Sequence, residues 1–557
     1  MMTIQGDSYQ GKFLPIFSLV HQLLRNHIAL LIFFGAAFLL WLMGANRLSL
    51  INDEGIYLYG AVLILRGQAP YSDFFVLTGP GTFWLLAAVF RFLGTKLSFA
   101  RLLPILDIAF LTMMVYWLTA RFSRPGFGMF LAFVYFSFQV IVPDLIVVNH
   151  RWDSAAFAMA ALSLFLSGVH SGKRPLFFVA GMFAAGAVWI TPSLITAPIA
   201  LVVWLIWNAD LRKQVVTFLL GVSLSSMAAV FFLSLHGALG SMFGHFLWTA
   251  SNYASANRFF YGGVIGGYGA IFSNAGGAEI LSVALVAFAV ALPAILPIAA
   301  YLGVLFKILK SREEILLVIF SIAMLASTYP RMDVGHLQFI TPIFYVLAGC
   351  MAERALTGAW RRFVSLCFAV IATMFLTISL TSITDGHSVE TRIGKVHGKS
   401  EELILIEKLS QNIPAGESVF VFPYMPFFYF LTNAENPTRY SFLQPGMMTL
   451  ADEQAVLSQL KLHPAKLVIY FDVPPEAYLR LWPSSDPDRL RMNSIERWLR
   501  SKYCLTEAIS YREREFQILR LISNQHGNRE VFGSFKNCQD SDQSNVNMNG
   551  LNGGSDK

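Results

Sequence analysis

Long apolar runs alternate along the chain with short polar, mostly basic ones. The runs lie near residues 28–45, 104–120, 125–147, 154–169, 176–192, 195–208, 213–235, 279–306, 313–328, 337–352 and 362–384. Their length and low charge match what a helix crossing a bilayer needs, about 20 predominantly apolar residues. Two further stretches, 55–66 (GIYLYGAVLILR) and 80–93 (PGTFWLLAAVFRFL), are too short to span. The first is amphipathic enough to lie flat in the membrane interface. The second begins in Gly79-Pro80-Gly81, carries Arg91 and is expected to do the same.

The basic residues orient the runs. They cluster at Lys12/Arg25, Arg121/Arg124, Lys173/Arg174, Arg212/Lys213, Lys307/Lys310/Arg312 and Arg354/Arg361/Arg362. Excess Lys and Arg mark cytoplasmic loops. With every cluster on that side, the chain after residue 121 alternates without exception, and only one crossing, 104–120, fits between residues 46 and 121. The expectation is an all-α polytopic membrane protein with eleven spans. Its N-terminus is cytoplasmic, its first span is an uncleaved anchor, and its C-terminal domain is extracytoplasmic, in a bacterial-type plasma (inner) membrane. The outer face then collects residues 46–103, 148–153, 236–278, 329–336 and everything from 385.

The chain changes character after residue 384. SVFVF (418–422), AKLVIYF (465–471), CLTEAIS (504–510) and FQILRLI (516–522) read as strands. Segments 400–411, 451–461 and 486–502 read as helices. The division expected is a membrane module over 1–384, a small α/β domain over 385–525 and an Asn/Ser/Gly-rich disordered tail over 526–557. The aromatic run Phe422-Pro423-Tyr424-Met425-Pro426-Phe427-Phe428-Tyr429-Phe430 is expected to dock this domain on the membrane; lining an acceptor groove is the alternative.

Composition sharpens the class. Hydrophobic residues make up 55% and charged residues 13%, against about 25% charged in soluble domains. Roughly half of the charges lie after residue 384, so the first part is greasier still. A cytosolic enzyme, a disordered chain and a disulfide scaffold are excluded. The net charge of +7 comes without any long Lys/Arg block, so it points to inner loops and not to nucleic acid. The four cysteines fit no metal spacing. Cys504 and Cys538 could pair, but nothing in the sequence fixes their geometry, and free thiols are the expectation.

Charge at the membrane edge is expensive and needs a reason. Asn52-Asp53-Glu54 directly follows the first span: either a solvated loop start, or a general base or cation ligand at the mouth of a cavity. Asn149-His150-Arg151-Trp152-Asp153 falls on the same face, where the plain reading is an internal Arg151–Asp153 pair. Tyr329-Pro330-Arg331-Met332-Asp333-Val334-Gly335-His336 puts a basic residue on the outer side, against the topology rule. Arg331 can hold a phosphate with two parallel hydrogen bonds, or pair with Asp333. The stretch 248–262 (WTASNYASANRFFYG), with Trp248, Asn257 and Arg258, suits sugar contacts or an interfacial aromatic belt.

At the span-then-carboxylate arrangement the sequence resembles the GT-C membrane glycosyltransferases, in the branch of the protein O-mannosyltransferases and aminoarabinose transferases. DEGIYLYGAVLILRGQAPYSDFFVLTGPG resembles their first outer loop, and VPDLIVVNHRWDSAAF their second acidic site. The resemblance implies an inverting glycosyltransferase that moves a sugar from a polyprenyl-phosphate donor to a lipid, protein or glycan acceptor at the outer face. It implies Asp53 or Glu54 as the base, and Asp153 as a secondary acid orienting the acceptor or a metal. Arg331, His336 and Arg258 would hold the departing phosphate, and Asn52, Tyr57, Asn149 and Arg151 would contact sugar or acceptor. No WWDYG-type motif is present, which argues against an N-oligosaccharyltransferase. Asp153 lacks a neighbouring second acid, so no cofactor is expected and a divalent metal is not supported. A transporter or flippase of lipid-linked sugars, and an O-antigen polymerase or ligase, are the alternatives. Transporters tend to carry charge in mid-span, whereas here polar residues crowd one face. A topology reporter fused after residue 100 should report an extracytoplasmic position. A cytoplasmic signal would overturn the interface placement of 80–93.

Overall fold

A computed structural model of the chain describes residues 13–48, 50, 53–140, 146–264, 280–305, 311–384, 386–511, 514–522 and 535–538. Each of the eleven apolar runs is helical: Phe13–Gly44, Leu102–Phe122, Pro125–Val140, His150–Ser171, Arg174–Ile190, Thr196–Trp207, Gln214–Leu235, Ile280–Leu305, Arg312–Ala326, Thr341–Ala355 and Gly358–Thr384. Among the described residues, five helical stretches are long and apolar enough to cross a membrane: Leu97–Phe122, His150–Ser171, Gln214–Leu235, Val283–Leu305 and Gly358–Thr381. The other six assignments rest on the charge pattern.

Ion pairs gather one end of the bundle. Arg121 meets Glu313 at 3.2 Å, Arg124 meets Glu353 at 3.0 Å, Arg312 meets Asp210 at 3.0 Å, and Arg354 pairs with Glu314. Pairs at a surface contribute little stability. Their value is as markers: loops near 121–124, 210–214, 311–314 and 353–355 share one face, the face that the basic residues assign to the cytoplasm. The Arg312–Ala326 helix starts there with a capping box, Ser311 accepting from the Glu314 N–H while Glu314 accepts from the Ser311 N–H.

At the other end, the two short helices differ in surroundings. Helix Gly81–Leu93 keeps one face buried, with Thr82, Phe83, Leu86, Ala87 and Phe90 inside. Helix Glu54–Leu65 does not lie flat on lipid as its sequence suggested. Nine of its twelve residues are buried, because the C-terminal region covers it. Gly55 is part of the reason: a Cβ there would collide with the backbone of Phe427, so only glycine admits this approach.

The C-terminal region carries a hairpin, β1 (His387–Thr391) with β2 (Gly394–Gly398), and a four-stranded sheet. The sheet comprises β3 (Val419–Phe422), β4 (Leu467–Phe471), β5 (Tyr503–Tyr511) and β6 (Arg514–Leu521) in the order β3-β4-β6-β5. β3 and β4 are parallel, joined by a crossover containing helix Leu450–Leu462, and the other pairings are antiparallel. All four strands and two of the three helical segments match the sequence expectation to within a few residues. The third, 486–502, is shorter, as helix Asn493–Lys502 after a 3-10 turn at Pro487–Arg489.

The core of this region does not stop at residue 385. One continuous hydrophobic cluster joins Leu48, Tyr57, Leu58, Phe83 and Leu97 to Leu405, Phe420, Phe428, Val468 and Phe516, while the helical bundle has a separate core. The aromatic run 422–430 belongs to it. Phe430 stacks on Phe90 at 5.7 Å and Tyr429 on Tyr59 at 4.8 Å. The expected docking on lipid is thus replaced by docking on the first outer loop, which supplies the apolar partner these rings need.

Cys504 and Cys538 form a disulfide, contrary to the free-thiol expectation. Its cause is local. Leu505 N–H donates to the Lys536 carbonyl at 2.7 Å, and Phe535 packs on Tyr470 at 5.0 Å beneath the Arg500 guanidinium at 4.7 Å. Residues 535–538 of the expected disordered tail therefore lie along the free edge of β5 and cover it. The rest of that tail is outside the described residues. Thiol labelling of the unfolded chain without reductant should spare Cys504 and Cys538 and mark Cys350 and Cys367. Replacing both paired cysteines with serine should lower the stability of the C-terminal region by about 2–4 kcal/mol in denaturant titration.

Candidate functional site

Helix Glu54–Leu65 begins at Asp53, whose carboxylate makes no capping bond. Adjacent helical side chains point roughly 100° apart, and the two carboxylates meet opposite environments. Glu54 turns inward and is 1% exposed. Its Oε1 accepts from Arg101 Nε at 3.0 Å and from the Val148 N–H at 3.1 Å, and its Oε2 accepts from Arg101 Nη2 at 2.8 Å. Arg101 also donates to the Arg47 carbonyl. Glu54 thus ties the first outer loop, the start of the Leu102–Phe122 helix and the 146–149 segment together. Both its oxygens are occupied, which favours Asp53 over Glu54 as the candidate base.

Asp53 is exposed at the same helix end. The phenol of Tyr424 donates to its Oδ1. One turn on, buried Tyr57 packs on Phe83 at 5.3 Å and on His150 at 5.9 Å. Burial, then the Asp53 carboxylate, holds the Tyr57 phenol well above its ordinary range, with Arg151 opposing and Tyr253 and Asp153 adding to the rise. Asn52 lies outside the described residues.

Helix His150–Ser171 supplies the second group. Asn149 is its N-cap, accepting from the Arg151 N–H at 3.0 Å, so its side chain has a structural task. His150 Nδ1 lies 2.6 Å from Thr191 Oγ1, which donates to Ser154 Oγ at 2.9 Å. Arg151 acts electrostatically on Tyr57, His150 and His336. It does not pair with Asp153, which turns into the bundle at 2% exposure. There Thr82 donates to Asp153 Oδ2, and the carboxyl of Asp107 lies beside it. Asp107 was missed in the sequence. Its signal was there, a lone acid inside the run 104–120 where charge is costly.

The third group comes from two loops zipped by backbone bonds: Phe259 N–H to the Pro330 carbonyl at 3.0 Å, Gly262 N–H to Met332 at 2.9 Å, and Val334 N–H to Gly263 at 3.0 Å. This brings Arg331 Nη1 to Asn257 Oδ1 at 3.2 Å, beside the 2.8 Å pair of Arg331 Nε with fully buried Asp333. His336 Nδ1 is 2.8 Å from the same carboxylate oxygen. Burial, then Arg151, pushes His336 down to about 4, with Asp333 partly opposing. His336 is thus neutral near pH 7, and its one N–H faces the Asp333 carboxylate. Asp333 is held well below the carboxylate range by His336 and Arg331, which together outweigh its burial. The exposed Arg258 is engaged through its carbonyl, which accepts from Ser484 Oγ at 2.7 Å.

These groups form one cluster. Tyr57 and Tyr424 both sense Asp53, Tyr424 also senses Arg331, and Tyr57 and His336 both sense Arg151. The C-terminal region closes it, since Gln444 Nε2 donates to Asn257 Oδ1 at 3.1 Å. Among the described residues, no group of three or more His, Cys, Asp or Glu is arranged to hold a metal ion.

No protein-family model matches the sequence, and no curated protein matches it either. Solved structures do. ArnT from Cupriavidus metallidurans bound to undecaprenyl phosphate superposes with a TM-score of 0.54 at 14% identity, over 88% of this chain and 98% of that one. Its apo state gives 0.54 at 13% identity, over 88% and 97%. The chain has the GT-C fold. An Archaeoglobus fulgidus oligosaccharyltransferase tethered to an acceptor peptide also aligns, with a TM-score of 0.49 at 13% identity over 89% of this chain and 74% of that one.

Within this GT-C fold, Arg101→Met should leave Glu54 without its counter-ion in the core. A loss of about 3–5 kcal/mol is expected in unfolding followed by intrinsic fluorescence. Arg101→Met with Glu54→Leu should recover part of it. An unchanged single variant would show that the pair does not hold the loop.

Proposed function

We propose that this chain is an inverting glycosyltransferase that moves a sugar from a polyprenyl-phosphate donor to an acceptor hydroxyl at the outer face of the membrane. The observation that carries the reading is the convergence of an exposed carboxylate, Asp53, with Arg151, Arg331 and His336 at one end of an apolar helical bundle. The GT-C fold agrees with it, and so does the polyprenyl phosphate bound by its structural relative ArnT.

The chemistry follows from the charges. Asp53 takes the proton of the acceptor hydroxyl. The acceptor oxygen bonds to the anomeric carbon from the face opposite the phosphate, and the bond from that carbon to the phosphate oxygen breaks, its electron pair leaving with the phosphate. The growing charge needs fixed cations in a dry site. Arg151 and Arg331 supply them, with Arg258 at the rim, while neutral His336 gives its one N–H to Asp333 and steadies the carboxylate that pairs with Arg331. Tyr57 lines the sugar side. Asp153, buried beside Thr82 and Asp107, orients the floor of the site. We assign no metal to this reaction. The disulfide supports the outer-face assignment, because such bonds persist in oxidising compartments.

The purified full-length chain, given a panel of undecaprenyl-phosphate sugars, should release undecaprenyl phosphate from at least one. With that donor, Asp53→Asn should lower turnover by about 10²–10⁴-fold, and Arg331→Ala should weaken donor binding. Full turnover by Asp53→Asn would sink the base assignment. Unchanged donor affinity in Arg331→Ala would sink the phosphate role.

A further inference from the structure

The hydrogen bond on the candidate base comes from the far end of the chain. Tyr424 follows β3 and is 371 residues from Asp53, yet its phenol donates to Asp53 Oδ1. Its backbone is held on both sides. Leu443 N–H donates to the Pro423 carbonyl at 2.9 Å, and Phe428 N–H donates to the Met425 carbonyl at 3.1 Å. Its ring is wedged edge-on between Phe442 at 6.0 Å and Trp482 at 6.2 Å. Helix Phe427–Thr432, three residues on, packs against the helix that Asp53 starts. The donor is thus a pre-set group on a rigid frame, the condition for holding a reacting side chain in one geometry.

We propose that Tyr424 is a positioning residue for Asp53: its phenol occupies Oδ1 and turns Oδ2 toward the acceptor hydroxyl, so the C-terminal region is part of the catalytic apparatus. This rests on Asp53 being the base. Burial, then the Asp53 charge beside it, holds the Tyr424 phenol well above its ordinary range, so it stays a donor at every working pH. A hydrogen bond donated to the charged form of an acid favours that form. A carboxylate pinned at one oxygen presents the other in a fixed direction.

Carbodiimide labelling of Asp53 across pH, read by mass spectrometry, tests the coupling without substrate. Tyr424→Phe keeps the ring and removes the donor. The half-point of labelling should move up by about one pH unit, since hydrogen bonds to charged groups are the strong ones. With the donor sugar that the wild-type chain uses, turnover should fall about tenfold, and the acid limb of its pH profile should move up with the labelling half-point. If Tyr424→Phe lowers the melting temperature, a ring-fluorinated tyrosine at 424 replaces it. That stronger donor keeps the shape and should move both readouts down. Unmoved labelling and pH limb in either protein overturn the proposal while leaving the Asp53 assignment standing. Full turnover by Asp53→Asn overturns both.

Discussion

The end of the molecule that carries the C-terminal region depends on one buried charge being neutralised. Glu54 sits at the first turn of a helix that is covered on nearly every face, and a lone carboxylate there would cost several kcal/mol. Arg101 cancels it with two hydrogen bonds, and the Val148 N–H adds a third. The three partners come from different parts of the chain, so the helix, the first long span and the second outer loop are locked in register. That lock decides what Asp53 does. Because its neighbour is held inward, Asp53 is held outward, at the mouth of the cluster that contains Arg151, Arg331 and His336.

The same economy governs the rest of the site. Asp333 serves Arg331 and His336 at once, and Asn257 joins Arg331 to Gln444. Loops that would otherwise be free are zipped by backbone bonds, and the C-terminal region is bonded to the membrane-proximal loop through a shared apolar core. Backbone bonds stitch the seam as well: Leu48 N–H donates to the His397 carbonyl at 2.7 Å, and Leu97 N–H donates to Ile393 at 3.2 Å. Rigid support of this kind suits electrostatic catalysis, where groups must be aimed before charge develops.

Much of this was legible in the residues. The apolar runs predicted helices because spanning segments must satisfy their backbone internally, and all eleven formed. The four sheet strands announced themselves by β-branched and aromatic runs. Asp53, Glu54, Asp153 and Arg331 stood out because charge beside lipid has to be justified. Other features were invisible for physical reasons. Nothing in Asn52-Asp53-Glu54 distinguishes its two carboxylates; the difference is the presence of Arg101, 47 residues away. The aromatic run 422–430 carries no label saying whether lipid or another helix will cover it. The disulfide depends on a strand edge that exists only once the sheet has formed.

The sequence by itself determined the class of molecule, the helical runs, the grouping of basic loops on one face and the short list of costly polar residues. These follow from local composition and periodicity, which act over one element at a time. Tertiary structure alone decided which of Asp53 and Glu54 is exposed, that Asp153 meets Asp107 inside the bundle, and that Tyr424 reaches Asp53. Such outcomes depend on desolvation and hydrogen bonding between residues tens to hundreds of positions apart. Those terms take their sign from who the neighbours are, and only folding supplies the neighbours.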